Sequence, residues 1–135
     1  MSTREAVFAE LDARLAAIAG VESYERMPSG DPDAFPALAL YDGGHGPIEF
    51  QAGTTQYDLT ITVEGYVEGG DGAQAHADMH DLYEAVKTAL ITEPPLGGLV
   101  ETIDEADFRV DVAELAKKRR IGFGLDVRIQ FSTPR

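Results

Sequence analysis

Apolar residues recur every three or four positions in two segments of the chain, and each segment predicts an amphipathic helix. The first begins after Ser2, which forms a capping-box pattern with Glu5, whose side chain is expected to reach back to the cap. We expect this helix to run to about Ala19, with Gly20 ending it in the left-handed conformation. The second helix is expected over about 73–91. The apolar positions are Val7, Leu11, Leu15 and Ile18 in the first segment and Ala75, Met79, Leu82, Val86 and Leu90 in the second.

Two other segments alternate apolar and polar residues, which predicts β-strands with one buried face and one polar face. One segment covers residues 55–67 and the other covers residues 121–132. Shorter strands are expected at 21–27, at 37–41 and within 99–112. The chain therefore predicts strands grouped between and after its two helices.

Proline and glycine mark the expected connections. Residues 28–36 and 42–54 are rich in both and are expected to be loops, with room for a brief strand at 48–51. The stretch TEPPLGGLVETI, at 92–103, has the glycines of a phosphate-binding loop, but such a loop follows a strand and carries Lys-Ser or Lys-Thr at the next helix. We therefore interpret it as a turn: Pro94 and Pro95 end the second helix, and the two glycines lead into the next strand.

The predicted order of elements is helix, strands, helix, strands, which indicates an α+β fold. We expect a largely antiparallel β-sheet with the two main helices packed on one face. At 135 residues the chain is expected to form one domain, 1–135, with a core of its own.

Composition narrows the possible partners. Aspartate and glutamate number 24 against 11 lysines and arginines, and the resulting formal charge of −13 repels nucleic acid and anionic lipid. The chain has no cysteine, which excludes disulfides, thiolate metal sites and a cysteine nucleophile. Charged residues interrupt the first twenty positions, so we expect neither export by a signal peptide there nor a membrane-spanning segment.

One helical stripe has the spacing of a metal site. His76 and His80 lie four residues apart, and Glu84 extends the stripe by another turn. A small metal-dependent enzyme is one hypothesis. A solvated polar helix face is the favoured alternative, because Ala77 stands where a zincin has its glutamate and the remaining histidine, His45, lies in a predicted loop.

Carboxylates are too abundant to define a catalytic pair from sequence. Glu64 and Asp126 lie on the polar faces of the two long strands and could face one another for acid/base work. No Gly-x-Ser-x-Gly elbow or other nucleophile motif accompanies them. We therefore expect no enzymatic activity, no catalytic residue, no cofactor and no bound metal.

Two features favour a macromolecular partner. The run KKRR is the one concentrated basic segment, and it is expected either to form a solvated hairpin or to dock on an acidic surface, including that of another copy. The polar strand faces carry small residues, Gly122 and Gly124, that would permit close approach of another backbone. The candidate interface residues are Lys117, Lys118, Arg119 and Arg120 in the basic run and Thr60, Thr62 and Tyr66 on the strand.

Several stretches together resemble the tail terminator proteins of long-tailed bacteriophages, of the lambda minor tail protein U type, and their relatives in phage-like particles. The resemblance covers residues 3–133. It is carried by LAAIAGV, FPALAL, TTQYDLTITVEGYV, DMHDLYEAVKTAL, PPLGGLV and IGFGLDVRIQFST.

The resemblance implies a structural virion protein at the head–tail junction, assembled in the host bacterial cytoplasm. Such subunits form a ring, expected to be hexameric, that caps the head-proximal end of the tail tube, stops tube polymerisation and joins the head. The implied partners are other copies of the chain, the tail tube protein and a head completion or connector protein. DNA only passes through the bore, and no membrane is involved. The alternatives are a head–tail connector or tail tube component of the same particle.

Overall fold

The computed structural model describes residues 2–69, 71–115 and 118–134. For residues 113–115, 118 and 119 it describes the backbone only. Within these ranges the chain forms two α-helices and five strands. The elements are helix α1 (Thr3–Ala16), strands β1 (Ser23–Arg26), β2 (Ala37–Gln51) and β3 (Thr54–Gly69), helix α2 (Gly72–Leu90), a 3₁₀ helix (Pro95–Gly98) and strands β4 (Thr102–Leu115) and β5 (Lys118–Pro134). Neither α-helix of this part of the chain has the length and apolar character needed to cross a bilayer.

The strands form one sheet in the order β1-β2-β3-β5-β4. The β2–β3, β3–β5 and β5–β4 pairs are antiparallel, and β1 pairs with β2 in parallel. Both α-helices contribute to one core with the apolar face of this sheet. The predicted α+β class, with a largely antiparallel sheet and helices on one face, is confirmed.

The two-residue alternation of the long strands matches their burial. On β5 the side chains from Ile121 to Phe131 that share the odd positions are all at most 4% exposed. All five predicted apolar positions of α2 are also buried. Because a fully buried large apolar side chain contributes about 1.5–3 kcal/mol, this shared face supplies the main stabilisation of the fold.

The start of α1 is as predicted, but the capping box is incomplete. Ser2 Oγ accepts a hydrogen bond from Glu5 N at 3.0 Å, which satisfies one of the free N–H groups of the first turn. The Glu5 side chain does not serve the cap: its carboxylate accepts from Arg26 Nη1 at 2.8 Å. An ion pair with β1 therefore replaces the expected reach back to Ser2.

Helix α1 ends at Ala16, three residues before the predicted end at Ala19. Gly20 has the expected positive φ of 85°, but it lies in the turn after the helix. The chain turns early because Glu22 N donates to Pro36 O at 2.9 Å, which sets the register in which β1 joins β2.

The prediction of a glycine-rich loop at 42–54 is wrong for most of that segment, because β2 continues to Gln51. The ladder to β3 is interrupted by register shifts between Asp42 and His45 and between Pro47 and Glu49. These irregularities absorb residues with poor strand propensity, as β-bulges do. Gly43 is required at the first one, since a β-carbon there would be 2.7 Å from the carbonyl oxygen of Thr60.

The proline-glycine stretch after α2 is a turn, as predicted. Leu96 is 2% exposed and belongs to the core. Gly97 and Gly98 take positive φ values of 70° and 91°, which glycine adopts without steric cost. The segment therefore anchors the chain on the core while reversing it into β4.

Candidate functional site

The sheet face opposite the helices carries most of the predicted interface residues, and we call it the polar face. The residues of this face that matter below are Asp58, Thr60, Thr62, Glu64, Tyr66 and Glu68 of β3, Arg120, Gly122, Gly124, Asp126 and Arg128 of β5, and Arg109 of β4.

Thr62 and Asp126 lie directly opposite each other on the polar face. Thr62 Oγ1 donates to Asp126 Oδ1 at 2.7 Å, and Arg109 Nη1 donates to Asp126 Oδ2 at 3.1 Å. These hydrogen bonds, that from Thr62 first, hold the pKa of Asp126 below its usual range. A carboxylate whose pKa is lowered stays ionised and is a poor general acid. Asp126 is also already hydrogen-bonded within the chain.

Tyr66 is also paired within the chain. Its hydroxyl donates to the Glu64 carboxylate, and burial followed by this bond raises the pKa of Tyr66. In the hypothetical acid/base pair, Glu64 therefore accepts a hydrogen bond from Tyr66, whereas Asp126 accepts from Thr62 and Arg109. Thr60, the third candidate on this strand, is partly exposed, and its carbonyl oxygen lies against the first bulge of β2.

The two glycines of β5 do not open the polar face to another backbone, contrary to the sequence interpretation. A β-carbon on Gly122 would lie 2.8 Å from Tyr66 Cδ1, and one on Gly124 would lie 2.9 Å from Arg109 Nη2. Both glycines are themselves buried. Their space is used by cross-strand side chains of the same chain, so close packing within the sheet explains why these positions are glycine.

The basic run lies at the start of β5. Lys117 is outside the described residues, as are the side chains of Lys118 and Arg119, although the backbone of the latter two belongs to the strand. Backbone pairing brings Leu115 opposite Lys118, so the described part of the run begins the β5 side of a β4–β5 hairpin.

Arg120 is not a solvated residue of that hairpin. Its side chain is 17% exposed, and its Nη2 lies 3.7 Å from Glu68 Oε2. The guanidinium carbon is 4.7 Å from the centroid of the Phe35 ring, which belongs to the 28–36 loop. Arg120 therefore fastens the end of this loop to the polar face through a cation–π contact and an ion pair.

The same loop, with β1 and β2, lines a small and partly open cavity, which we call the proline-loop cavity. Its volume is about 50 Å³. It is lined by Ser23, Glu25, Pro28, Gly30, Asp31, Pro32, Ala37, Leu38, Ala39, Tyr41 and Tyr66. Of these residues only Tyr66 was predicted from the sequence to belong to a site. The sequence signal for the cavity was ALALY at 37–41, in which Ala37 and Ala39 share a strand face with Tyr41. Their small side chains leave space on that face next to the tyrosine.

The candidate metal stripe of α2 is exposed. The rings of His76 and His80 have centroids 4.2 Å apart, and Glu84 lies 3.6 Å from Lys87 Nζ. His45 lies elsewhere, where its Nδ1 accepts from Arg4 Nε at 2.9 Å. Within the described ranges no group of three potential metal-ligating residues is found. The geometry thus favours the solvated helix face over the metal-site hypothesis.

The comparisons with known proteins give a fold relationship and a partial sequence match. No protein-family model matches the chain. A UPF0597 protein of Nitratidesulfovibrio vulgaris strain DP4 is 32% identical over 88 residues, which cover 62% of this chain and 20% of that protein. The corresponding protein of strain Hildenborough is 31% identical over 88 residues. The chain spans about a fifth of the length of these curated relatives.

A solved structure matches over almost the whole chain. It is a component chain of the virion of a native gene transfer agent particle, with a TM-score of 0.50 and 20% sequence identity. The match covers 96% of this chain and 92% of that chain. At this identity the likeness shows a shared fold.

Proposed function

We propose that the chain is a structural subunit of a phage-like virion. The observation that carries this proposal is the end-to-end fold likeness to a chain of a gene transfer agent virion, which leaves little of either chain unmatched. A match of this extent concerns the whole sheet with its two helices and not a local motif. The fold alone is a weak guide to function, so the surface has to support the same proposal.

More specifically, the proposed role is that of a tail terminator. Copies of the chain would form a ring, most simply of six, on the head-proximal end of a tail tube, where the ring ends polymerisation and offers the joining surface for the head. The stretches that resemble tail terminators fall on the elements of the observed fold: LAAIAGV covers the end of α1 and the turn after it, TTQYDLTITVEGYV lies in β3 and IGFGLDVRIQFST lies in β5.

The polar face suits passage of DNA better than binding of DNA. Each described arginine on it has an acidic partner: Arg109 lies 3.1 Å from Asp126, and Arg128 lies 2.5 Å from Asp58. Arg120 is likewise paired with Glu68. Since phosphate binding depends on available Lys and Arg charges, a bore lined by such a face would let DNA slide without holding it.

The first test is the solution mass of the purified chain across protein concentration and magnesium concentration, with negative-stain images of the largest species. Closed sixfold rings would support the proposal. A second arm adds the chain to polymerising tail tubes of its parent particle. The expected result is tubes of limited length with the chain at one end. A monomer under every condition that also leaves the tubes unchanged would overturn the proposal.

A tail tube or head–tail connector subunit of the same particle is the alternative, because the fold alone does not separate these positions. Labelling the chain in intact particles distinguishes them. A terminator marks one ring at the tail side of the joint, a tube protein marks the whole tail, and a connector marks the head side.

A further inference from the structure

Strand β4 forms one lateral edge of the sheet. It pairs with β5 on one side, and within the described ranges its other side pairs with no strand. After the register shift between Glu105 and Asp107, the pairing with β5 continues without interruption to Leu115. The free side of this segment therefore presents backbone N–H and C=O groups at regular strand spacing, to which one more strand can bind.

The helix-side face of this edge is apolar and exposed. Val110 lies opposite Phe123 of β5 and is 41% exposed, although Phe123 itself is buried. Val112 lies opposite the buried Ile121 and is 61% exposed. Both valines share the face that elsewhere forms the core. An added strand with apolar side chains on this face would remove the valines from water.

Helix α2 contacts β4 only in the first half of the strand. The ring of Tyr83 packs against Phe108 with centroids 4.3 Å apart, and Lys87 Nζ lies 3.9 Å from Glu105 Oε2. Val110 and Val112 follow these contacts along the strand and remain exposed. The edge beyond Phe108 is therefore open both along its backbone and on its apolar face.

The opposite face of the same edge is acidic. Asp104, Asp107 and Asp111 lie on it, together with Arg109. Arg109 Nη1 already lies 3.1 Å from Asp126 and 3.7 Å from Asp107. Asp111 is exposed and forms no ion pair with a described lysine or arginine. A neighbouring strand with basic residues on this face would supply the missing opposite charge, and such cross-strand pairs are stabilising.

A second copy of the chain is disfavoured as the occupant of this edge. Each copy carries a charge of −13, so two copies repel each other. Two β4 strands side by side would also bring together faces that each hold three aspartates against one arginine among the described residues. The charge of the edge therefore favours a basic partner of a different sequence.

We propose that the free edge of β4 binds an extended segment of another protein in which apolar residues alternate with lysine or arginine. The backbone of the segment pairs with β4 and adds one strand to the sheet. Its apolar side chains cover Val110 and Val112, and its basic side chains face Asp107 and Asp111. This inference goes beyond the proposed virion role and does not depend on ring formation.

A capped peptide of about seven residues that alternates lysine and valine, with a tryptophan at one end, is the probe. The chain has no tryptophan, so the fluorescence reports on the peptide alone. The control peptide has the same residues with the lysines and valines in separate blocks, which leaves its charge unchanged. We expect the alternating peptide to bind at least about tenfold more tightly, because only it matches both faces of the edge. Equal binding of the two peptides would overturn the proposal.

Backbone pairing has a separate test, because a strand bonds to one neighbour through alternate residues only. Two isomers of the alternating peptide are N-methylated at the odd or at the even positions, so each lacks donors on one edge. One isomer should bind like the parent peptide, and the other should bind at least about tenfold more weakly. The parent should also slow amide exchange at 107–112 but not in β1, at the other edge of the sheet. Equal binding of both isomers, or protection of β1 instead of β4, would contradict strand addition.

The acidic face is tested by neutral variants of the chain. Asp107→Asn with Asp111→Asn should weaken binding of the alternating peptide by about fivefold or more. Asp78→Asn with Asp81→Asn, at exposed positions of α2, removes the same charge elsewhere and should change binding much less. Equal losses in the two variants would mean that the peptide responds only to net charge, and the proposal would be wrong.

The apolar face is tested by Val110→Thr with Val112→Thr, which keeps β-branched residues in the strand. Binding of the alternating peptide should weaken by about threefold or more, since a hydroxyl replaces a methyl group at each contact. The matched control is Ile48→Thr, because Ile48 is 48% exposed on β2. Unchanged binding in the valine variant, with urea denaturation showing that it is folded, would rule out the apolar contact.

Sedimentation of the chain without peptide distinguishes the proposed partner from a second copy. The variant Val110→Thr with Val112→Thr should self-associate as the unmodified chain does. Weaker self-association would assign the β4 edge to a contact between copies and overturn the proposal. Sixfold rings of a chain that binds both peptides equally would retain the terminator and reject the β4 site, whereas selective peptide binding by a chain that forms no rings and leaves tubes unchanged would do the reverse.

Discussion

The Phe123 ring occupies the space that a side chain at Gly65 would need. The two residues face each other on adjacent strands, and a β-carbon on Gly65 would lie 2.3 Å from Phe123 Cε1 and 2.6 Å from Phe123 Cζ. Leu82 of α2 also approaches, with its Cδ2 at 3.0 Å from that position. The absence of a side chain at Gly65 thus leaves the space that Phe123 and Leu82 fill.

Replacing Gly65 by alanine should therefore destabilise the fold. The expected loss in the free energy of unfolding is about 1–3 kcal/mol, the usual range for overpacking a filled core. Urea denaturation measures it. Gly46→Ala is the matched control, since a β-carbon there meets no atom within 4 Å. Similar stabilities for the two variants would show that the core yields at Phe123 without cost.

Arg120→Lys should loosen the 28–36 loop while leaving the sheet intact. Lysine keeps the charge that faces Glu68 but loses the planar guanidinium over Phe35, a contact expected to contribute roughly 0.5–2 kcal/mol. Hydrogen exchange of the loop amides should accelerate. The control is Arg128→Lys, whose side chain is 53% exposed. Unchanged loop exchange in Arg120→Lys would mean that other contacts hold the loop.

The ion pair between Arg4 and Asp42 should make stability depend on acid pH. Arg4 Nη1 and Nη2 donate to the Asp42 carboxylate at 2.5 and 2.7 Å, and these bonds are the first cause of the lowered pKa of Asp42. A group whose pKa is lowered by folding stabilises the fold above its ordinary pKa of 3.8, and this contribution is lost as the pH falls through the lowered value.

Asp42→Asn keeps an acceptor for Gly44 N but removes the charge. The expected loss in unfolding free energy at pH 7 is about 1 kcal/mol or less, because both side chains are partly exposed. The difference from the unmodified chain should shrink as the pH falls below 3.8 and through the lowered pKa of Asp42. Asp81→Asn, on the exposed side of α2, should show no such convergence. A constant difference across pH would exclude the ion pair as its source.

Self-association should strengthen as salt rises from 0.01 M to 0.1 M. The charge of −13 on each copy repels its neighbours over a Debye length that falls from about 30 Å to about 10 Å in this range. Sedimentation at fixed protein concentration measures the effect. Weaker association at 0.1 M would indicate that exposed ion pairs dominate assembly.

The helices and the long strands were predictable because their apolar periodicity coincides with the observed burial. Met79 and Val86 follow one face of α2, and Ile129 follows one face of β5. The turn at Gly97 and Gly98 was also predictable, because a helix ended by Pro94 and Pro95 needs a turn before the next strand. Such features depend on neighbours within the same segment.

The extension of β2 was not predictable, because its residues between 43 and 47 are poor strand formers individually. They are held in the sheet by β3, whose register with them cannot be derived from either segment alone. The same limit applies to Gly122 and Gly124. Their partners, Tyr66 and Arg109, come from two other strands, so the sequence indicated open space where cross-strand packing fills it.

The cavity was missed for a related reason. Glu25 and Asp31 appear in the sequence as two of many acids. The pairing of β1 with β2 places Glu25 at the cavity, and the fold of the 28–36 loop places Asp31 there. The role of Arg120 was hidden likewise within a basic run, since Phe35 is distant along the chain.

The irregularities of β2 also bear on which strands could pair with the free side of this segment. Residues 42–51 have β3 on one side, and no other strand of the described chain pairs with them on the other. Pro47 withholds a hydrogen-bond donor there, and the two register shifts change the spacing of the rest. An incoming strand finds no regular ladder to extend. This part of β2 is therefore protected against edge-to-edge pairing with a strand of another copy.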